Sequence, residues 1–129
     1  CIHLCRGNAG HGQASGGYDR VAERLFALSV DGFFLEYDTE RAGSFAPFRH
    51  LPPDRVAVLG IISTKLAALE PKDEVKRRVD EAARYVGLER LCLSPQCGFA
   101  SSFLVDRFTE SDEERKLAHL VEIASEIWG

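Results

Sequence analysis

Arg55-Val56-Ala57-Val58-Leu59-Gly60-Ile61-Ile62 is the stretch on which the fold turns. After Arg55 it holds no polar side chain, and an unbroken apolar run of strand length fits a strand buried on both faces, as in a parallel sheet covered by helices. Toward the N-terminus, Asp38 to Pro53 reads as a long loop broken by Gly43, Pro47, Pro52 and Pro53. Before it, Val30 to Tyr37 (VDGFFLEY) is a second short apolar run, with Gly32 as its weak point. Tyr18 to Leu28 places Val21, Ala22, Leu25, Phe26 and Leu28 at helical spacing. Arg6 to Gly17 is a glycine-broken loop, and Cys1 to Cys5 looks like the tail of a strand.

Toward the C-terminus the pattern continues. Asp73 to Val86 predicts a helix with Val75, Val79, Ala82, Ala83 and Val86 on one face and Gly87 as its stop. Leu88 to Leu93 is a further strand candidate, closed by Ser94-Pro95. Thr109 to Trp128 predicts the last helix, capped by Thr109 with Asp112 three residues on. Its expected apolar stripe is Leu117, Leu120, Val121, Ala124, Ile127 and Trp128. Strand and helix therefore alternate, which argues for an α/β fold of parallel βαβ units with outer helices. A full TIM (β/α)8 barrel takes about 250 residues. At 129 residues, the simplest architecture is half of one, with an open doubly wound sheet second.

Composition narrows the function classes. The chain is 45% hydrophobic and 28% charged, with a formal charge of -4 and an isoelectric point near 5.6. No basic block stands out, which argues against a nucleic-acid partner. A membrane span needs about 18 consecutive apolar residues, and the sequence has no such run. There is no Met, and the sequence opens on Cys1; residues 1–129 are expected to be a single partial domain, the C-terminal piece of a longer chain. Four cysteines, Cys1, Cys5, Cys92 and Cys97, without signs of export fit reduced thiols in a cytoplasmic protein. Cys1 and Cys92 sit among apolar neighbours and are expected to be small buried core side chains.

The remaining two cysteines have polar company. His3 and Cys5 are two residues apart, which puts both on one face of a strand. Glu36 ends the second strand run and Cys97 follows the last. In a parallel barrel these strand ends share one rim, where active sites are built. Two thiolates, an imidazole and a carboxylate would suit zinc. Blander readings stand beside this one: His3 as a buried polar residue next to a core thiol, Glu36 as an ion-pair partner, Cys97 as a structural thiol after a Ser-Pro turn. His11 reads as a solvated loop residue, His50 and His119 as structural or solvent-facing, Phe99 as packing, and Lys76-Arg77-Arg78 as a solvated helix face.

Three separated motifs, His3-Leu4-Cys5-Arg6-Gly7-Asn8, Phe34-Leu35-Glu36-Tyr37-Asp38 and Leu93-Ser94-Pro95-Gln96-Cys97-Gly98-Phe99, resemble the cobalamin-independent methionine synthase family. The similarity is strongest to its short methionine-synthase-like branch, which is related to epoxyalkane:coenzyme M transferases, and it runs from Cys1 to Glu126-Ile127-Trp128-Gly129. The resemblance implies the C-terminal half of a catalytic TIM barrel with zinc held by His3, Cys5, Glu36 and Cys97. It also implies the reaction: a thiol such as homocysteine, deprotonated at zinc, takes the methyl group of 5-methyltetrahydrofolate polyglutamate and yields methionine. Arg6 and Asn8, beside the first two ligands, are candidate substrate-binding residues.

The sequence departs from the family at one motif. Where methionine synthases carry Asp-Ile-His-Ser at a strand end, this chain has Ile61-Ile62-Ser63-Thr64. Ser63 stands in the His position, as a third substrate-binding candidate, and serine is a poor general acid near pH 7. An alkyl donor of another kind, such as an epoxide, is therefore an alternative, as is a non-catalytic half-barrel. The expected partners are a small thiol and a methyl donor. Self-association or a missing N-terminal half-barrel is expected to cover the open edges of the sheet.

Overall fold

The computed structural model describes residues 1–7, 15–99 and 108–129. Four strands, β1 (Ile2–Leu4), β2 (Gly32–Glu36), β3 (Val56–Ile62) and β4 (Leu91–Pro95), form one sheet in the order β1-β2-β3-β4. All three pairings are parallel. Sequential neighbours throughout, with no reversal of order, is the arrangement of a barrel wall, whereas a doubly wound sheet reverses its strand order at a switch point. The fold is α/β, a parallel sheet with outer helices, as in half of a TIM barrel.

Register sorts the side chains into two faces. Phe33, Ala57 and Leu91 lie side by side across β2, β3 and β4, and Leu4, Leu35, Leu59 and Leu93 form the next row across all four strands. These rows are packed under the helices α1 (Ala22–Phe26), α2 (Lys72–Ala83) and α3 (Glu110–Trp128). Phe26, Phe33, Tyr37, Phe45 and Phe48 build an aromatic cluster at the β2 end of this core, with ring centroids 4.4 to 6.1 Å apart. The alternate rows face the other way. His3, Phe34, Val58 and Cys92 are aligned on the opposite face, and three of the four are exposed.

That second face corrects the reading of two cysteines. Cys1 and Cys92 are exposed, because strand alternation puts both on the face that no described helix covers. Each is apolar in its sequence neighbourhood and unburied in space.

Several elements differ in extent from expectation. The first helix is confined to Ala22–Phe26; Tyr18 instead caps a turn whose carbonyl accepts from the backbone N–H of both Val21 and Ala22. Residues 38–53 contain two 3-10 turns, Glu40–Ala42 and Ala46–His50, whose Ala42, Pro47 and Phe48 are buried. The second helix ends at Ala83 rather than at Gly87, whose φ of -53° is not that of a left-handed cap. The last strand is shifted: Leu88–Arg90 is a 3-10 turn, and β4 runs on through Ser94 and Pro95. Proline is tolerated there because it is the last residue of β4 and pairs with Ile62 where the register slips.

The capping box of α3 forms as expected: Thr109 Oγ1 accepts from Asp112 N, and the Asp112 carboxylate accepts from Thr109 N. Its inward face is Lys116 and Ile123, buried, with Leu120 and Ile127 half-buried beside them, whereas Leu117, Val121 and Trp128 of the expected stripe are exposed. A fully buried lysine occupies a core position here, and an apolar-pattern reading passes over it. Among the described residues no helix is long and apolar enough to cross a membrane.

Candidate metal centre

β1 delivers His3 and Cys5 from one face of its end. β2 delivers Glu36, whose peptide is braced by Tyr18: the tyrosine hydroxyl accepts from Glu36 N at 3.0 Å and donates to Glu36 O at 3.2 Å. Opposite Glu36 in β3 stands Gly60. A Cβ at Gly60 would lie 3.2 Å from Leu35 O, 3.4 Å from Glu36 Cα and 3.4 Å from Pro95 O, so a residue without a side chain lets the strands close at this level. β3 and β4 slip register between Gly60 and Ile62, and this irregularity re-aims the chain leaving β4. Gln96 N then donates to Ile62 O at 3.0 Å, and Gln96 Oε1 accepts from Thr64 N at 3.3 Å. The next residue is Cys97.

The result is a compact donor cluster. Cys5 Sγ and Cys97 Sγ are 3.1 Å apart. Cys97 Sγ lies 2.7 Å from Glu36 Oε1 and 3.7 Å from His3 Nε2. His3 Nε2 is 3.5 Å from Glu36 Oε1. One ligand atom from each of the four residues lies within 4.8 Å of the other three. A tetrahedral zinc with bonds of about 2.0 to 2.3 Å keeps its ligand atoms roughly 3.3 to 3.8 Å apart. His3 lies at that spacing from Glu36 and from Cys97, the Cys5–Cys97 and Cys97–Glu36 pairs are closer, and the mixture of soft sulfur with nitrogen and oxygen donors suits that ion. Glu36 is fully buried, while His3 and Cys5 are exposed. An open cavity of about 610 Å³, bordered by Cys1, Phe34, Gln96 and Gly98, reaches His3, Cys5 and Cys97.

Electrostatics point the same way. Burial, then the hydrogen bonds to Glu36 and Cys5, push the Cys97 thiol well above the ordinary thiol range. Packing two thiols and a carboxylate together disfavours further negative charge, and a dication among them reverses that balance.

The other candidates are placed as follows. Arg6 is buried; its guanidinium donates to Gly16 O and to Arg41 O at 3.1 Å and lies over the Tyr18 ring. Its backbone N–H donates to Glu36 Oε2 at 3.1 Å. Ser63 sits just beyond β3, with its N–H on Glu70 Oε1 at 2.9 Å and its carbonyl accepting from Lys116 Nζ at 2.9 Å. Asn8 and His11 lie outside the described residues. His119 Nε2 meets Glu70 O at 2.7 Å, His50 Nε2 accepts from Arg49, and Phe99 packs on Phe108. Arg78 departs from the expected solvated face and stacks on Phe45 at 5.5 Å.

Sequence reading missed the residues behind Glu36. Arg41 lies 3.9 Å from Glu36 Oε2 and pairs with Asp38 at 3.2 Å, and Lys65 reaches Asp38 at 2.6 Å. Burial alone would raise the Asp38 carboxyl, but Lys65 and Arg41 hold it below its ordinary range. The only signal in the sequence was the density of charge just after Glu36, in Asp38-Thr39-Glu40-Arg41.

Two Bacillus subtilis (strain 168) proteins, the uncharacterized proteins YxjG and YxjH, are 50% and 49% identical over 130 aligned residues, which is 98% of this chain. The chain spans 34% of the length of each, about a third. A Listeria monocytogenes structure provisionally named a vitamin-B12-independent methionine synthase matches with a TM-score of 0.75 and 43% identity over 98% of this chain and 34% of that one. The B12-independent methionine synthase of Shewanella sp. W3-18-1, solved with selenomethionine, shares the fold with a TM-score of 0.78 at 18% identity, over 98% of this chain and 37% of that one. Residues 11–126 match the family described as cobalamin-independent synthase, catalytic domain; Glu36, Ser63 and Cys97 fall inside the match, and His3 and Cys5 precede it. The chain belongs to the cobalamin-independent methionine synthase family.

Proposed function

We propose that this chain carries the zinc centre of a thiol methyltransferase, in which His3, Cys5, Glu36 and Cys97 hold the metal and a methyl group moves from 5-methyltetrahydrofolate polyglutamate to a thiol such as homocysteine, giving methionine. The observation that carries the reading is the convergence of those four donors, from three separate strand ends, to within 4.8 Å of one another. In this reading residues 1–129 form the C-terminal half of the barrel, and groups of the substrates remote from sulfur are held by sequence outside them.

When bound, zinc supplies the positive charge that keeps a substrate thiol ionised as a nucleophile at neutral pH. The chain's own residues set that chemistry up. Cys5 and Cys97 contribute two anionic sulfurs, which keep the centre electron-rich. His3 and Cys5, both exposed, border the cavity from which a substrate sulfur would approach. Phe34 and Cys1 give that cavity apolar lining.

The test is methionine formation by residues 1–129 joined to an N-terminal half-barrel that completes them, supplied with zinc, homocysteine and methyltetrahydrofolate. The reading expects turnover that requires zinc and disappears in Cys97→Ser. A second reading is favoured by Ser63, which puts a hydroxyl where the family carries an imidazole: the same centre alkylating a thiol with another electrophile, such as an epoxide. Thiol alkylation by an epoxide but not by methyltetrahydrofolate would replace the first reading with the second.

A further inference from the structure

The Glu36 carboxylate is divided between two environments. Oε1 faces the donor cluster, 2.7 Å from Cys97 Sγ and 3.5 Å from His3 Nε2. Oε2 faces the other way, accepting from Arg6 N at 3.1 Å with the Arg41 guanidinium at 3.9 Å. Arg41 is itself fixed on three sides. Its Nη2 and Nε meet Asp38 Oδ1 at 3.2 and 3.4 Å, its Nη1 donates to Arg6 O at 3.2 Å, and its carbonyl accepts from the Arg6 guanidinium at 3.1 Å. Asp38, its side chain 1% exposed, accepts from Lys65 Nζ at 2.6 Å through its other oxygen. Charges thus alternate Lys65, Asp38, Arg41, Glu36, from the segment that follows β3 to the centre. A carboxylate with one oxygen engaged by cationic and N–H donors offers only the other to a metal ion, and such outer partners fix ligand orientation.

We infer that Arg41, held by Asp38 and Lys65, is a positioning residue that keeps Oε2 of Glu36 engaged and so reserves Oε1 as a single-oxygen ligand for the metal. The inference rests on the zinc reading above and adds to it a named set of supporting side chains. Among the described residues Arg41 is not part of the cavity lining, and its contact with the donor cluster is the one to Glu36 Oε2.

The test is a double-substitution cycle read by zinc affinity, using competition with a chromophoric chelator, and by the visible spectrum of the cobalt(II)-substituted protein. Arg41→Gln is expected to weaken zinc binding about 10-fold or more and to alter the cobalt bands. In a Glu36→Gln background the same substitution should have no further effect, while in a Cys5→Ser background its effect should persist. Arg41→Lys, which keeps the charge and loses the fork, should fall between wild type and Arg41→Gln, and it carries the cycle if Arg41→Gln does not fold. Equal losses in the Glu36→Gln and wild-type backgrounds would show a purely structural role and overturn the inference. An Arg41→Gln protein with wild-type affinity and spectrum would also overturn it, leaving the zinc reading intact. A wild-type protein that binds neither metal would remove the zinc reading and the inference with it.

Discussion

At the scale of single residues, four cysteines divide into two kinds. Cys5 and Cys97 have their sulfurs 3.1 Å apart within the donor cluster, whereas Cys1 and Cys92 stand exposed on the same sheet face without belonging to it. Thiol reactivity should separate them. With zinc present, a maleimide followed by peptide mapping is expected to label Cys1 and Cys92 and to spare Cys5 and Cys97. After chelation Cys5 should join the labelled set, since it is exposed. Labelling of Cys5 and Cys97 undiminished by zinc would contradict their role as ligands. The sequence alone placed His3, Cys5, Glu36 and Cys97 on one rim, because strand parity and strand ends are written in spacing. It misjudged Cys1 and Cys92, because apolar neighbours along a strand say nothing about whether the face they share is covered.

At the scale of elements, α3 joins packing to the rim. Its capping box was legible, since Thr109 and Asp112 act through local spacing. Its inward face was legible in part: Leu120 and Ile127 pack on the core as expected, but Lys116 occupies a core position that apolar periodicity assigns to Leu117. Lys116 is fully buried and donates to both oxygens of Glu70, at 2.9 and 3.0 Å, and to Ser63 O. Glu70 in turn accepts from Ser63 N. One ion pair therefore grips the Ser63 residue by both its N–H and its carbonyl, at the exit of β3. Removing one partner of such a pair leaves the other uncompensated, at a cost on the order of 3 kcal/mol. Lys116→Met is expected to lower the urea midpoint by that order, and Lys116→Met with Glu70→Gln should recover part of the loss. A midpoint unchanged in Lys116→Met would show that the pair contributes nothing net. Other misplaced boundaries have similarly local causes: in β4 a proline read as a terminator is tolerated as the last residue of the strand, and residues 38–53 hide two buried turns among loop-like prolines.

At the scale of the whole molecule, the alternation of strands and helices was enough to give the parallel sheet, whereas the strand order that separates a barrel wall from a doubly wound sheet came from the structure. What alternation could not show was the charge chain behind Glu36, whose members come together only in three dimensions. The sheet is helix-covered on one side, with its donor cluster where the strand ends converge, and that cluster is proposed as a zinc site. Zinc ligands must shed their protons to bind, so affinity should fall as the pH is lowered and the thiols and imidazole retain them. The most direct test is the zinc content per chain of protein purified without added metal at neutral pH, compared with Cys97→Ser and Glu36→Gln. A zinc site predicts close to one zinc in the wild type, lost on acidification and reduced in both variants. A wild-type chain that stays folded, carries no zinc and takes up none on addition would contradict it.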